Sequence, residues 1–406
     1  MAVLVDDLAQ KRMTRDRVRS DLSAEVFDDL TAVETLWRGI ETDPGVLATP
    51  YQRFDWVSAF LEGSFGADRE RLGQALRVVV LREASGAVRL ILPLLRQRER
   101  GVMVARVVGA THANFHMPLF ASRSAAATSG EEIVEALRVA GAEAGIDAYI
   151  LGHQPRFWDG AVNPLAIRGE PSPSDAYGLL LGPDVETTVK RVFSADARKK
   201  LRAKEKKLAE AVGPVGFRVA QDAAEAASFL GAFYRHKASR FAALGILDPY
   251  AAEPVRRFLA EAAGAKESVF DRRSIEICAL VGNEDGRVYA VFAGAVDAVR
   301  YSGMMTAFDQ DPALARFSLG EILLQHLVRY QAAQGRRAFD LGVGEARYKA
   351  SICDETIELR QVAIPVSLSG WLVVAQAQCL FRLKRRIKRS PTLFGLVNAL
   401  RRRAAS

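Results

Sequence analysis

The stretch DPALARFSLGEILLQHLVRYQAAQGRRAFDLG, residues 311–342, decides the fold. It runs loop, helix, strand. In 320–335, Ile322, Leu323, Leu327 and Tyr330 share one helical face, and Gly335 ends the run. RAFDLG, 337–342, is a short strand. Ser318, Leu319 and Gly320 open the helix. A helix start presents free N–H groups and the positive end of its dipole, which favour a phosphate. Gly320 has no side chain to keep one away.

Upstream, SIEICALVG (274–282) and VYAVFAGAVD (288–297) flank NEDG, a hairpin turn signal, and RYSGMMTAFD (300–309) follows as a third strand. An earlier segment also mixes strands and a helix. ALRVVVLRE (75–83) and AVRLILPLLRQRE (87–99) read as a hairpin, VARVVG (104–109) as a strand, EEIVEALRVAGAEAG (131–145) as a helix and AYILGH (148–153) as a strand. The chain is therefore α/β (α+β). Residues 1–25 read as a loosely ordered arm, 154–185, rich in Pro, Gly, Ser and Asp, as a linker and loop zone, and 371–406 as a basic tail.

Hydrophobic residues make up 49% of the 406 and charged residues 26%, an ordinary globular balance. Cys278, Cys353 and Cys379 are far apart and odd in number, which argues against a disulfide framework and suits a reducing compartment. No secretory signal or bilayer-length apolar run is present, so a cytoplasmic protein is expected. From Trp371 onward the chain holds nine basic residues and no acid; subtracting nine from the total of +8 leaves −1 for residues 1–370. The tail joins WLVVAQAQCLF to RLKRRIKRS. It reads equally as a cationic amphipathic segment lying on the inner face of an anionic membrane or as a helix packed on the body with its charges solvated. A second basic run, 190–207, holds nine Lys/Arg against Asp196 and Glu205, but no RNA-binding motif accompanies it, so tRNA is not the expected partner. HANFH (112–116) has histidines at i and i+4 without a supporting acid, and no metal is expected.

Several separated pieces carry a family resemblance. They are TPYQRFDWVSAF (49–60), RKKLRAKEKKL (198–208), YRHKASRF (234–241), and FSLGEILLQHLV followed by FDLGVGEARYK. In this order they resemble the CelD/BcsL group of acetyltransferases, associated with cellulose and exopolysaccharide biosynthesis and distantly similar to the FemABX aminoacyltransferases. Phe241 stands where that group often has Trp.

The resemblance implies two tandem GNAT-like (acyl-CoA N-acyltransferase) lobes, 26–165 and 185–370, joined by a linker over 166–184, with a basic helical C-terminal tail. It implies an acyltransferase using acetyl-CoA or another acyl-CoA, without metal, on a sugar, polysaccharide precursor or related small acceptor. The alternatives are a FemABX-like aminoacyl-tRNA-dependent transferase and a non-catalytic accessory protein of polysaccharide assembly. The cofactor would lie on Ser318, Leu319 and Gly320, with its thioester carbonyl at a backbone N–H of Met305 or Thr306. Asp340 is a candidate base or an orienter of Lys349. Tyr348 would return a proton to the thiolate, and Lys349 would hold an anion. His236 and Arg240 share a helix face and, with Lys237, are candidates for acid–base work or for binding an anionic acceptor.

Overall fold

The computed structural model describes residues 21–390. Most of the expected N-terminal arm lies outside this range, and its last residues already belong to a strand. The first half runs β1 (Ser23–Phe27), α1 (Glu34–Glu41), α2 (Phe54–Phe65), α3 (Arg69–Ala75), β2 (Leu76–Arg82), β3 (Val88–Glu99), β4 (Val102–Val107), α4 (Gly130–Glu143) and β5 (Ala148–Pro155). The second half begins with β6 (Ala176–Leu180), α5 (Val185–Val192), α6 (Ala195–Val212), β7 (Val215–Val219), α7 (Ala223–Leu244) and α8 (Glu253–Ala262). It continues with β8 (Ile275–Gly282), β9 (Val288–Val296), β10 (Arg300–Phe308), α9 (Leu319–Ala333) and β11 (Ala338–Val343). Then come α10 (Arg347–Ile352), β12 (Glu355–Ile357), β13 (Leu359–Pro365) and α11 (Leu368–Arg389).

Two mixed sheets result. The first has the order β1-β2-β3-β4-β5-β13, extended by Glu170–Pro171; the second has the order β7-β8-β9-β10-β11-β6-β12. Each contains one parallel pair, β4 with β5 and β10 with β11, joined by a crossover helix, α4 or α9. The lobes exchange strands. β6, from the stretch between the lobes, pairs with β11 in the second sheet, while β13 leaves the second lobe to pair with β5 in the first. Without the exchange β5 and β11 would each end as an open edge.

Sequence periodicity explains the layers. β8 is buried along its whole length. Its Ile275, Ile277, Ala279 and Val281 join the core shared with the first lobe, and Cys278 and Leu280 face the core beneath α9. Alternate residues of a strand point to opposite faces, so a strand covered on both reads as an unbroken apolar run. The lobes touch at backbone distance where α2 crosses α8: a Cβ on Gly63 would lie 2.4 Å from Phe258 Cβ. The expected apolar face of α9 is buried through Ile322, Leu323 and Leu327. The tail residues within the described range form α11, packed on β4, β5 and β13 through Gly370 and Val374.

Candidate functional site

The second sheet opens into a fork. β10 and β11 pair only over Arg300–Ser302 and Ala338–Asp340. Beyond that point β10 follows β9 to Phe308, and β11 follows β6 to Val343. A bulge sharpens the divergence: Met305 pairs with Ala293 and Gly303 with Gly294, so Met304 is the extra residue. The fork lies at the carboxyl ends of two parallel strands, where open α/β sheets leave room for ligands. The chain leaving β10 enters α9 on that same side.

At the start of α9, Ser318 takes a left-handed conformation, φ 54°, and its carbonyl accepts from the Glu321 and Ile322 amides. The Leu319 and Gly320 amides precede the first helical turn's acceptors. A Cβ on Gly320 would meet only the Phe308 ring, at 3.6 Å. Lys204 of α6 donates to Ser318 Oγ at 2.6 Å and lies 3.5 Å from Glu321. The Arg240 guanidinium lies 5.8 Å from the Phe308 ring centre. Two cations and a helix start thus gather at one end of the fork.

At its closed end is a buried polar cluster. Asp340 is 0% exposed, and its Oδ1 accepts from Arg300 Nη1 at 2.5 Å. Its Oδ2 has no hydrogen-bond partner among the described residues. Burial raises the Asp340 carboxyl to about 6, against the opposing pull of Arg300. Arg300 is itself buried and lies over the Trp158 ring at 4.1 Å. The first lobe completes the cluster. Asn114 Nδ2 donates to the Gly303 carbonyl at 2.9 Å and to Tyr51 Oη at 2.7 Å, and Tyr51 Oη donates to Ser302 Oγ at 3.0 Å. Gly303 has no room for a side chain, since a Cβ would lie 2.9 Å from the Asp340 carbonyl. Gly342 has φ 74°, and its Cβ position lies 3.0 Å from the Asn114 side chain.

The expected residues are dispersed along this fork. Asp340 pairs with Arg300; Lys349 is held elsewhere, donating to the carbonyls of Gly342 and Gly344 at 3.1 and 3.0 Å. Burial lowers the Lys349 ammonium. Tyr348 is 46% exposed on the short α10. Met305 is buried, and Thr306 is exposed with its hydroxyl on the Val291 carbonyl. His236 Nε2 contacts the Val288 carbonyl at 2.9 Å. Lys237 lies among the rings of Phe233, Phe241 and Tyr250, and burial lowers its ammonium.

Arg300, Asn114, Tyr51, Trp158 and Lys204 are additions from the structure. Tyr51 and Lys204 belong to stretches singled out above. Asn114 sits inside HANFH, whose histidines drew the attention; His116 is buried beside His153 and pushed to about 3 by burial. Among the described residues no cluster of three or more His, Cys, Asp or Glu is arranged to hold a metal.

Residues 195–350 match the acetyltransferase (GNAT) domain family. The matched segment spans α6 to α10 and contains the whole fork. It carries the homology of an acyltransferase domain. No curated protein matches the chain in sequence. Among solved structures, FemX is 8% identical, with a TM-score of 0.56 over 86% of this chain and 99% of that one. The L-PGS of Bacillus licheniformis is 16% identical, covering 86% of this chain and 98% of that one, with a TM-score of 0.44. An N-myristoyltransferase of Saccharomyces cerevisiae with bound myristoyl-CoA is 10% identical, covering 86% and 81%, with a TM-score of 0.44. The likeness to FemX is one of fold. The architecture is α/β with two lobes in tandem, and the GNAT match lies in the second. No helix among the described residues is long and apolar enough to cross a membrane.

Proposed function

We propose that this chain transfers an acyl group from coenzyme A, acetyl in the first instance, to an amine or hydroxyl of a sugar, polysaccharide precursor or related small acceptor. The observation that carries the reading is the fork between β10 and β11, with a helix start at its open end and a buried carboxylate at its closed end. The polysaccharide context rests on the resemblance to the CelD/BcsL group.

The cofactor's pyrophosphate would rest on the Leu319 and Gly320 amides, with Lys204 and Arg240 adding positive charge. Its pantetheine arm would run into the fork. The bulge at Met304 frees backbone beside Met305, and an amide there would polarise the thioester carbonyl. Thr306 would line the same wall.

Asp340 is the proposed base. With its carboxyl at about 6 it is ionised at neutral pH, and its buried Oδ2, which has no hydrogen-bond partner among the described residues, has lone pairs to spare for an acceptor N–H or O–H. Arg300 keeps the carboxylate oriented. Tyr348 would return the proton to the leaving thiolate. Lys349, by tying down the Gly342 carbonyl near the end of β11 and the Gly344 carbonyl just beyond it, would hold Tyr348 in reach. His236, Lys237 and Arg240 would receive the acceptor or the cofactor's phosphates from α7.

Calorimetric titration with acetyl-CoA tests the first step, beside Gly320→Glu. Micromolar binding that the variant loses supports the site. Equal binding by both proteins would move the cofactor elsewhere. No binding of any acyl-CoA, with retention of aminoacyl-tRNA, would replace this reading with the aminoacyl-transfer one.

A further inference from the structure

α11 buries one face and leaves the opposite one apolar. Gly370, Val374 and the half-buried Ala377 and Phe381 pack on the first sheet. The outward face carries Leu368, Leu372 and Leu383, exposed by 87%, 75% and 53%, with Cys379 between them and Trp371 alongside at 59%. These leucines recur at helical spacing, so they form one ridge. A packed surface helix ordinarily turns its polar side to water, and a continuous apolar ridge marks an interaction surface.

Cations crowd the same helix. Lys384, Arg385, Arg386, Lys388 and Arg389 close it, and Arg382 before them pairs with Glu170 at 2.5 Å. Arg382, Arg385, Arg386 and Arg389 line a cavity of about 190 Å³ with Glu170 and Pro171. Within its wall Arg385 Nε is buried without a hydrogen-bond partner. A buried guanidinium N–H lacking an acceptor favours an anion with oxygens to spare.

We infer that α11 docks the protein on an anionic lipid bilayer, its leucine ridge entering the headgroup–acyl boundary and its arginines taking lipid phosphates. Both features point to one occupant. A nucleic acid would answer the charge but leave the leucines in water. A second copy of this chain would answer the leucines and oppose cation to cation. An anionic membrane answers both. The inference stands apart from the acyl-transfer reading, because no residue of the fork takes part.

Trp371 provides the probe. The other three tryptophans, Trp37, Trp56 and Trp158, are buried, so a change in emission on docking reports Trp371. The full-length protein is mixed with phosphatidylcholine vesicles, with and without phosphatidylglycerol, and both partition and emission are read. Partition about tenfold or more in favour of the anionic vesicles is expected, with a blue shift of Trp371. Leu372→Asp with Leu383→Asp, both on exposed positions, abolishes the shift at an unchanged melting temperature. Arg386→Glu with Arg389→Glu removes the lipid preference. Equal partition into both vesicle types overturns the proposal. So does a Trp371 emission that is already blue and unmoved by vesicles, with a dimeric mass by light scattering that Leu372→Asp makes monomeric.

Discussion

Asn114 of the first lobe donates to the Gly303 carbonyl of the second over 2.9 Å, at the point where β10 and β11 part. The same amide group donates to Tyr51 Oη, which in turn reaches Ser302. One lobe therefore sets the geometry of the fork in the other. Asn114→Ala leaves the buried Gly303 carbonyl and Tyr51 hydroxyl each short of a partner, a loss of about 1–3 kcal/mol. Chemical denaturation of the full chain measures it. Asn114→Asp is expected to cost more, because it opposes a carboxylate to the carbonyl and adds an acid near Asp340.

Asp340 makes a prediction about pH. A base with its carboxyl at about 6 must lose its proton to work, so kcat/KM should rise as pH climbs through about 6 and level off above. Asp340→Asn should lower it by about 10²–10⁴-fold and flatten the profile. A variant that keeps wild-type turnover and the same pH dependence would remove Asp340 from the chemistry.

Stability should change with pH at the same residue, in the opposite sense. The carboxyl is raised in the folded protein, so its contribution is fully present below 3.8 and lost as pH rises through about 6. The melting temperature of Asp340→Asn, relative to wild type, should therefore improve between pH 4 and 7.

Removing Arg300 leaves a buried carboxylate unpaired. Arg300→Met is expected to cost about 3–5 kcal/mol at neutral pH and less where Asp340 is protonated. Adding Asp340→Asn to that background should recover much of the loss. Denaturant melts of the two single variants and the double variant close the cycle.

Gly320 separates bulk from charge. The site has room for a Cβ, so Gly320→Ala should fold and bind acyl-CoA within a few-fold of wild type. Gly320→Glu should fold as well, yet weaken binding by at least about tenfold, since a carboxylate at a helix start displaces a phosphate from the same amides. Equal losses in the two variants would point to backbone geometry in place of charge.

The sequence by itself determined the local grammar. The apolar runs of β8 to β10 and the turn between β8 and β9, the apolar stripe of α9, the Ser-Leu-Gly helix start and the basic tail all depend on residues a few positions apart, and so they are legible in one dimension. The division into two lobes came with the family resemblance and not from local pattern. Tertiary structure decided the rest. β6 and β13 cross between sheets because each open strand edge takes the partner that geometry brings near, and no local pattern names that partner. Asp340 meets Arg300 across 40 positions of sequence, and Asn114 reaches Gly303 across 189. Lys349, next to Tyr348 in the chain, turns back to the Gly342 and Gly344 carbonyls and not to Asp340. Pairing of buried polar groups is settled by which partners are within reach once water is excluded, and that is a property of the packed molecule.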